Sequence, residues 1–497
     1  MPCRPPIRVF RGRRAPAVPA GRTAVGLALL WLAAASPGRA EPVELSPQHL
    51  SLPIGAAAPL FADVEGNGRC ALLVVDPVGH ALLNYRQTPA GFSRAPDQII
   101  PLPPRILWVA VGDVDPHPGL ELVMSTAAGV VYSRQNDGRF ETELRPLITA
   151  GQVFTNDDMP PLTLLATNPA GRIVIPLLSG GKIIRYQPDP AGGWRAVPDA
   201  TPETNQTTWY MDHGGRSGAW ALGSEPARRL RFWQSPQTDT NLPEDDNFEN
   251  DAIRQIVTGM KKTAKGSAPR VEDVDVDGDG RKDVIVWQVV GDKDCRTDVY
   301  LFLRQADGQL PARPTEILHG HGFPLPFGPN SQWSPVHDLH GDGIVELVLL
   351  EFKTPFSEGG ILDALVSHGL DWSLTIRCFR RGGFSHSPDA SVAVTAFLPG
   401  EFLGGWAFCF QGDFNADGRP DLLVRRSDTQ WNIYFSTTDG HWFTPQPALA
   451  FAVPPQGHLE IKDLNGDGRS DIIWHEPDPA GVDIFLSPSP ATTDKKP

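Results

Sequence analysis

Acidic residues recur along this chain at a spacing that brings carboxylates together. Three segments are nearly the same: Val274 to Val286 (VDVDGDGRKDVIV), Gly412 to Val424 (GDFNADGRPDLLV) and Lys462 to Trp474 (KDLNGDGRSDIIW). Their shared pattern is D-x-[DN]-x-D-G-x-x-D, followed at once by apolar residues. A fourth, from Asp338 to Leu347, keeps the frame with His340 at position 3, Asp342 at position 5 and Glu346 at position 9. Weaker versions run from Asp113 to Glu121, with His117 at position 5, and from Asp63 to Gly68. Two further places, Thr167 to Arg172 and Asp212 to Arg216, fall where a repeat would demand a copy but have lost the acids.

Side-chain oxygens at positions 1, 3 and 5 of a tight turn converge on one point, joined by a backbone carbonyl at position 7 and a carboxylate at position 9. Six or seven hard oxygens suit Ca²⁺ and not a soft transition metal. Glycine at position 6 permits the reversal that aims the ligands inward. Without a cation, the clustered carboxylates repel one another. An EF-hand begins in the same way but needs Glu at position 12 and flanking helices. Position 12 here is Val286, Val424 and Trp474, and the flanks are rich in β-branched residues. Three loops are therefore expected to bind calcium well. The 338 loop should bind weakly, because imidazole replaces an oxygen. The 113 loop is a poor site, and the 63, 165 and 212 loops poorer still.

The elements that must hold these loops are strands. Loops begin near residues 63, 113, 165, 212, 275, 338, 413 and 463, mostly about fifty residues apart. Each unit reads as a strand into the loop, a second out of it, a third carrying an aromatic (Trp431 to Phe435, Asp298 to Leu303), and a fourth after a Gly-aromatic turn such as Gly91-Phe92. Four antiparallel strands at this period predict an all-β chain folded as a β-propeller of eight blades, or seven if one degenerate unit is not a blade. The last unit stops after its third strand at Ile484-Phe485-Leu486, and Val43 to Leu52 is placed to supply the missing outer strand. Inserted residues occupy the longer steps. Asp251 to Lys262 has the spacing of a short amphipathic helix, and Phe352 to Leu370 is part-helical in character.

At these residues the chain resembles the FG-GAP/VCBS repeat family, whose repeats also build the propeller of integrin α chains. The likeness is specific at the 275, 413 and 463 loops and faint at the 165 and 212 loops. It implies a propeller with Ca²⁺ in the loop between the first two strands of a blade. The implied ligands are Asp275, Asp277, Asp279 and Asp283 with the carbonyl of Arg281. In the later loops they are Asp413, Asn415, Asp417, Asp421 and the Arg419 carbonyl, then Asp463, Asn465, Asp467, Asp471 and the Arg469 carbonyl. Asp338, Asp342 and Glu346 would form the weaker fourth site.

Residues 1–40 read as a secretory signal, with an arginine-rich start, an apolar core from Ala24 to Ala35, and small residues Gly38 and Ala40 before the cut. That core is too short to span a bilayer. Residues 41–488 would then form the single propeller and 489–497 a disordered tail. Removing the seven arginines of residues 1–40 from 44 basic residues leaves 37 against 58 acidic, a net charge of −21. So acidic a chain is unsuited to nucleic acid and anionic membranes. Gly 49 and Pro 50 of 497 residues, spread evenly, fit many tight turns. Four cysteines, Cys70, Cys295, Cys378 and Cys409, follow the signal and allow three disulfide connectivities.

The leading expectation is an exported, periplasmic or cell-surface binding module for protein or glycan. Trp108, Trp209, Trp220, Trp333, Trp406 and Trp474 are either sugar-stacking residues or inter-blade core, the latter being the commoner use. The alternative is a polysaccharide-cleaving enzyme using His319, His321, His337 and His340, although no nucleophile–base motif accompanies them. A structural role in a secreted assembly is the third reading.

Overall fold

The computed structural model describes residues 41–56, 59–104, 106, 108–149, 162–165, 175–179, 182–190, 193–197, 209–213, 216–222, 230–234, 250–262, 267–291, 296–327, 332–352, 369–397, 408–439, 441–476 and 481–488. The expected signal segment, the 167–172 repeat position and most of 352–370 lie outside them. So do Cys295, Trp406 and the expected tail beyond residue 488.

Among the described residues the chain is all-β, with one helix and eight successive sheets of three or more strands. The 63 loop joins Leu60–Ala62 to Ala71–Asp76, which continues antiparallel through Ala81–Tyr85 to Gln98–Pro101. The 275 loop joins Arg270–Val274 to Asp283–Val290, followed by Arg296–Phe302 and Glu316–His321 in the same order. The expected four-strand plan is thus realised in the clearest units. The 212 position is a hairpin between Trp209–His213 and Arg216–Leu222.

The Gly-aromatic turns form short ribbons, such as Gln87–Thr88 with Gly91–Phe92 and Phe379–Arg380 with Gly383–Phe384. Their rings turn inward: Phe92, Phe140, Phe384 and Phe443 are all buried. Each therefore ties the outer edge of a sheet to the core.

Hydrophobic residues fill the spaces between consecutive sheets. Leu73 and Leu82 of one sheet meet Val109 and Leu122 of the next. Leu374 and Ile376 meet Leu422 and Val424, and Ile433 and Phe451 meet Ile472 and Phe485. The last sheet packs on the first through Ile473, Val482, Leu72 and Val74. The strand bringing the ends together is Gln48–Ser51, antiparallel to Gly481–Phe485 as the sequence predicts. One strand was not foreseen: Val43–Leu45 runs parallel to Leu449–Ala452 on the preceding sheet.

The helix spans Asp251–Lys262, the range read from its spacing. Asn250 caps it, its Oδ1 accepting the Ala252 N–H at 2.8 Å. Ile253, Val257 and Met260, one stripe of the helix, bury against Val284, Val286 and Phe302. No helix of the described residues is long and apolar enough to cross a membrane.

Candidate metal-binding loops

Each loop is closed by its own carboxylates. At position 1, Asp275 Oδ1 accepts the N–H groups of Gly278 and Asp279 at 2.9 and 3.2 Å, and Oδ2 accepts Gly280 at 2.8 Å. Asp338, Asp413 and Asp463 do the same for their loops, and Asp63 for Asn67 and Gly68. At position 5 the carboxylates of Asp279, Asp342, Asp417 and Asp467 accept the position-7 N–H. The tight reversal needs left-handed backbone at position 6, where Gly280, Gly343, Gly418 and Gly468 have φ of 82, 83, 83 and 79°.

Position 9 fastens the loop to the sheet. Asp421 Oδ2 accepts the Phe414 N–H and Oδ1 the Ser436 N–H, both at 2.8 Å. Asp283 holds Val276 and Arg304, and Asp471 holds Leu464 and Ser487, in the same way. These carboxylates staple the loop to the end of the third strand, and all three are buried. Burial pushes Asp421 up to about 7 and Asp471 up to about 6, outweighing the backbone hydrogen bonds, with the neighbouring loop carboxylates adding to the rise. Asp283 is raised for the same reasons.

The donor set fits a hard divalent cation. Carboxylate oxygens of Asp275, Asp277 and Asp283 lie within 4.8 Å of one another. In the 413 and 463 loops, the Asn415 and Asn465 amides reach toward Asp417 and Asp467 at 3.2 and 3.3 Å. The position-7 arginines fold differently. Arg281 and Arg419 pair with Asp279 and Asp417 of their own loops, while Arg469 donates to the Pro488 carbonyl at 2.9 Å.

The weaker loops carry cations of their own, a feature the sequence reading missed. Arg86 sets Nε and Nη2 on Oε1 of Glu65, position 3 of the 63 loop, at 3.0 and 2.6 Å. Arg134 does the same to Asp115, position 3 of the 113 loop, at 3.0 and 2.7 Å. Tyr132 and His117 also bond Asp115. Burial alone would raise the Asp115 carboxyl, but the bonds from Arg134, Tyr132 and His117 prevail and hold it well below the usual range. Both arginines directly follow the third strand of their unit, where register between strands rather than spacing sets them beside the loop. In the 338 loop, His340 Nδ1 lies 2.7 Å from Glu346 Oε1 and its ring packs on Trp442.

Neighbouring loops also touch. The position-8 N–H of one loop donates to a carbonyl at the start of the loop before it: Val345 to Val276, Ser470 to Asp413, Cys70 to Leu464 and Leu120 to Val64, at 2.7 to 3.2 Å. Pro420 has no N–H to donate, and there the backbone at Gly341 instead lies against the Gly418 carbonyl. The 275, 338, 413, 463, 63 and 113 loops thus form one continuous series of contacts.

The histidines proposed for catalysis do not share one environment. His337 is buried, hydrogen bonded to the Ser334 carbonyl, and pushed down to about 4 chiefly by burial. His319 pairs across strands with Asp298 at 2.7 Å, and His321 is exposed. Trp108 and Trp474 are buried core residues, not sugar-stacking surfaces. Cys70, Cys378 and Cys409 are buried, and Cys409 Sγ accepts the Gln411 N–H at 3.2 Å.

Residues 413–474, which contain two complete loops, match the FG-GAP-like repeat. The chain carries this repeat. No curated protein matches the chain. Among solved structures, BBS1N in complex with ARL6DN is 9% identical, with 91% of this chain and 99% of that one covered, at a TM-score of 0.29. An Agrocybe aegerita lectin that recognises non-reducing terminal N-acetylglucosamine is 13% identical, covering 87% and 75%, at 0.20. The Photorhabdus luminescens Tc holotoxin pore is 13% identical, covering 86% of this chain and 16% of that one, at 0.28. Likeness this distant defines neither a fold nor a ligand.

Proposed function

We propose that this chain is an exported calcium-binding β-propeller of eight blades, seven being the alternative count, that acts as a binding module for a protein or glycan outside the cytoplasm. The observation that carries the reading is the continuous series of Asp-rich loops on sheets whose last member is completed by a strand from the chain's beginning. Calcium would be held by Asp275, Asp277, Asp279 and Asp283, by Asp413, Asn415, Asp417 and Asp421, and by Asp463, Asn465, Asp467 and Asp471, with the carbonyls of Arg281, Arg419 and Arg469. The ion supplies positive charge to buried carboxylates that otherwise repel one another. The role of the chain's own residues is to close each loop through position 1 and to staple it to the third strand through position 9. Asp338, Asp342 and Glu346 hold an ion less well, because His340 occupies Glu346.

A glycan array in calcium buffer, repeated with chelator, tests the binding role. Chelator-sensitive retention of a defined glycan set supports it. Retention of none, together with release of reducing ends from an acidic polysaccharide, would replace it with the enzymatic alternative.

A further inference from the structure

The geometry points to a second kind of metal site, for a borderline transition cation such as Zn²⁺, at the seam where strand Gln48–Ser51 joins the last sheet. Its ligands are His49, Asp483 and Glu476, whose donor atoms lie within 4.8 Å of one another. His49 and Asp483 are direct cross-strand partners, with Nδ1 and Oδ1 2.8 Å apart. Glu476 stands opposite Gly481, two residues before Asp483 on the same face of the sheet. Glycine leaves the space that lets Glu476 reach over. A Cβ at Gly481 would sit 3.2 Å from Glu476 Oε2 and 3.0 Å from His49 Cε1.

The donor chemistry separates this site from the calcium loops. One imidazole nitrogen and two carboxylates suit zinc, which accepts nitrogen and oxygen at about 2.0–2.2 Å and leaves a fourth position for water. Ca²⁺ prefers an all-oxygen set of higher number. Ligand atoms on such a tetrahedral centre stand about 3.3 Å apart, so a small turn of the half-exposed His49 ring opens the 2.8 Å edge enough. Ser51 Oγ lies 3.4 Å from His49 Nε2, placed to accept its N–H and leave Nδ1 bare for the metal.

A related pair elsewhere shows what is special here. Asp298 and His319 are also cross-strand partners on the third and fourth strands of their sheet, 2.7 Å apart. There the third member is Arg296, whose Nε lies 3.0 Å from Asp298 and neutralises it. At the seam the third member is an acid. Among the described residues no lysine or arginine pairs with Asp483 or Glu476. Two carboxylates and an imidazole without a fixed cation make a site for a mobile one, and metal bound there would fasten strand Gln48–Ser51 to Gly481–Phe485.

The test is zinc titration of the purified protein, without a histidine tag, in a large excess of calcium so that the Asp-rich loops are filled. Binding is followed by competition with a chromogenic chelator and by the melting temperature. One equivalent should bind in the micromolar range or tighter and raise the melting temperature. Outer-shell changes at zinc sites cost about 10- to 100-fold in affinity, so loss of a direct ligand in Glu476→Gln should cost at least tenfold. Its zinc-free melting temperature should not change. His319→Gln should leave zinc binding intact. No zinc bound by the wild type, or equal affinity in Glu476→Gln, would reduce the cluster to a cross-strand hydrogen bond and overturn the proposal.

Discussion

Removing calcium should weaken the fold in a pH-dependent way, and the sign follows from the position-9 carboxylates. In the metal-free chain Asp421 is pushed up to about 7 from an ordinary 3.8. Below about 4 the folded and unfolded states both hold the proton. Between about 4 and 7 the unfolded chain releases it while the folded chain retains it. Stability therefore falls as pH rises through this window and stays lowered above it. A tenfold change in proton affinity is worth about 1.4 kcal/mol, so Asp421 alone costs on the order of 4 kcal/mol at pH 8. Asp471, pushed up to about 6, adds a smaller cost over a narrower window. A bound ion takes the place of the proton and removes both. A site filled at a thousand times its dissociation constant contributes about 4 kcal/mol. Calorimetric melts with calcium and with chelator, from pH 5 to pH 8, measure the difference. The drop caused by chelator should be small at pH 5 and grow steadily toward pH 8. A melting temperature indifferent to chelator at pH 8, or a drop that does not change with pH, refutes the reasoning.

The loops with built-in cations should behave in the opposite way. Arg134→Met, by stranding Asp115, should lower the midpoint of urea unfolding by the same amount with calcium as with chelator. Since the Asp115 carboxyl is held low, its contribution is present above about pH 4 and lost as pH falls further. Gly341→Ala should cost about 1–3 kcal/mol in the same assay, because φ there is 69° and a side chain would meet the Gly418 carbonyl. Ala416 occupies the matching position of the next loop at φ 61°. Ala416→Gly should consequently fall within about 1 kcal/mol of wild type. Leu50→Ala should cost about 2–5 kcal/mol by urea unfolding, since Leu50 is only 2% exposed within the cluster that joins the last sheet to the first.

What was legible in the sequence is what short range determines. The Asp loops announce themselves because every closing hydrogen bond spans only a few residues, so spacing alone encodes the turn. The helix Asp251–Lys262 is legible for the same reason, its buried stripe repeating at three and four residues. Even the donated strand could be read, by counting a unit that ended one strand short. Arg86 on Glu65, Arg134 on Asp115 and His49 on Asp483 were not legible. Each depends on the register between strands, which a linear pattern does not contain. The tryptophans show the same limit: Trp108 and Trp474 are apolar enough for either role, and only packing between sheets decides it.

The pairing of Gln48–Ser51 with Gly481–Phe485 also sets an order of events in folding. His49 and Asp483 are separated by 434 positions in the chain, so strand Gln48–Ser51 has no partner until Gly481–Phe485 has been made. The hairpins within each sheet can form on local contacts, but the last two sheets wait for closure with Gln48–Ser51 and Val43–Leu45 from the far part of the chain, the slowest kind of contact to gain. Through that interval the last sheet presents an unpaired edge, the surface most prone to join another molecule. Completing these two sheets is therefore a late event, and a chain lacking Val43–Ser51 would leave both edges open.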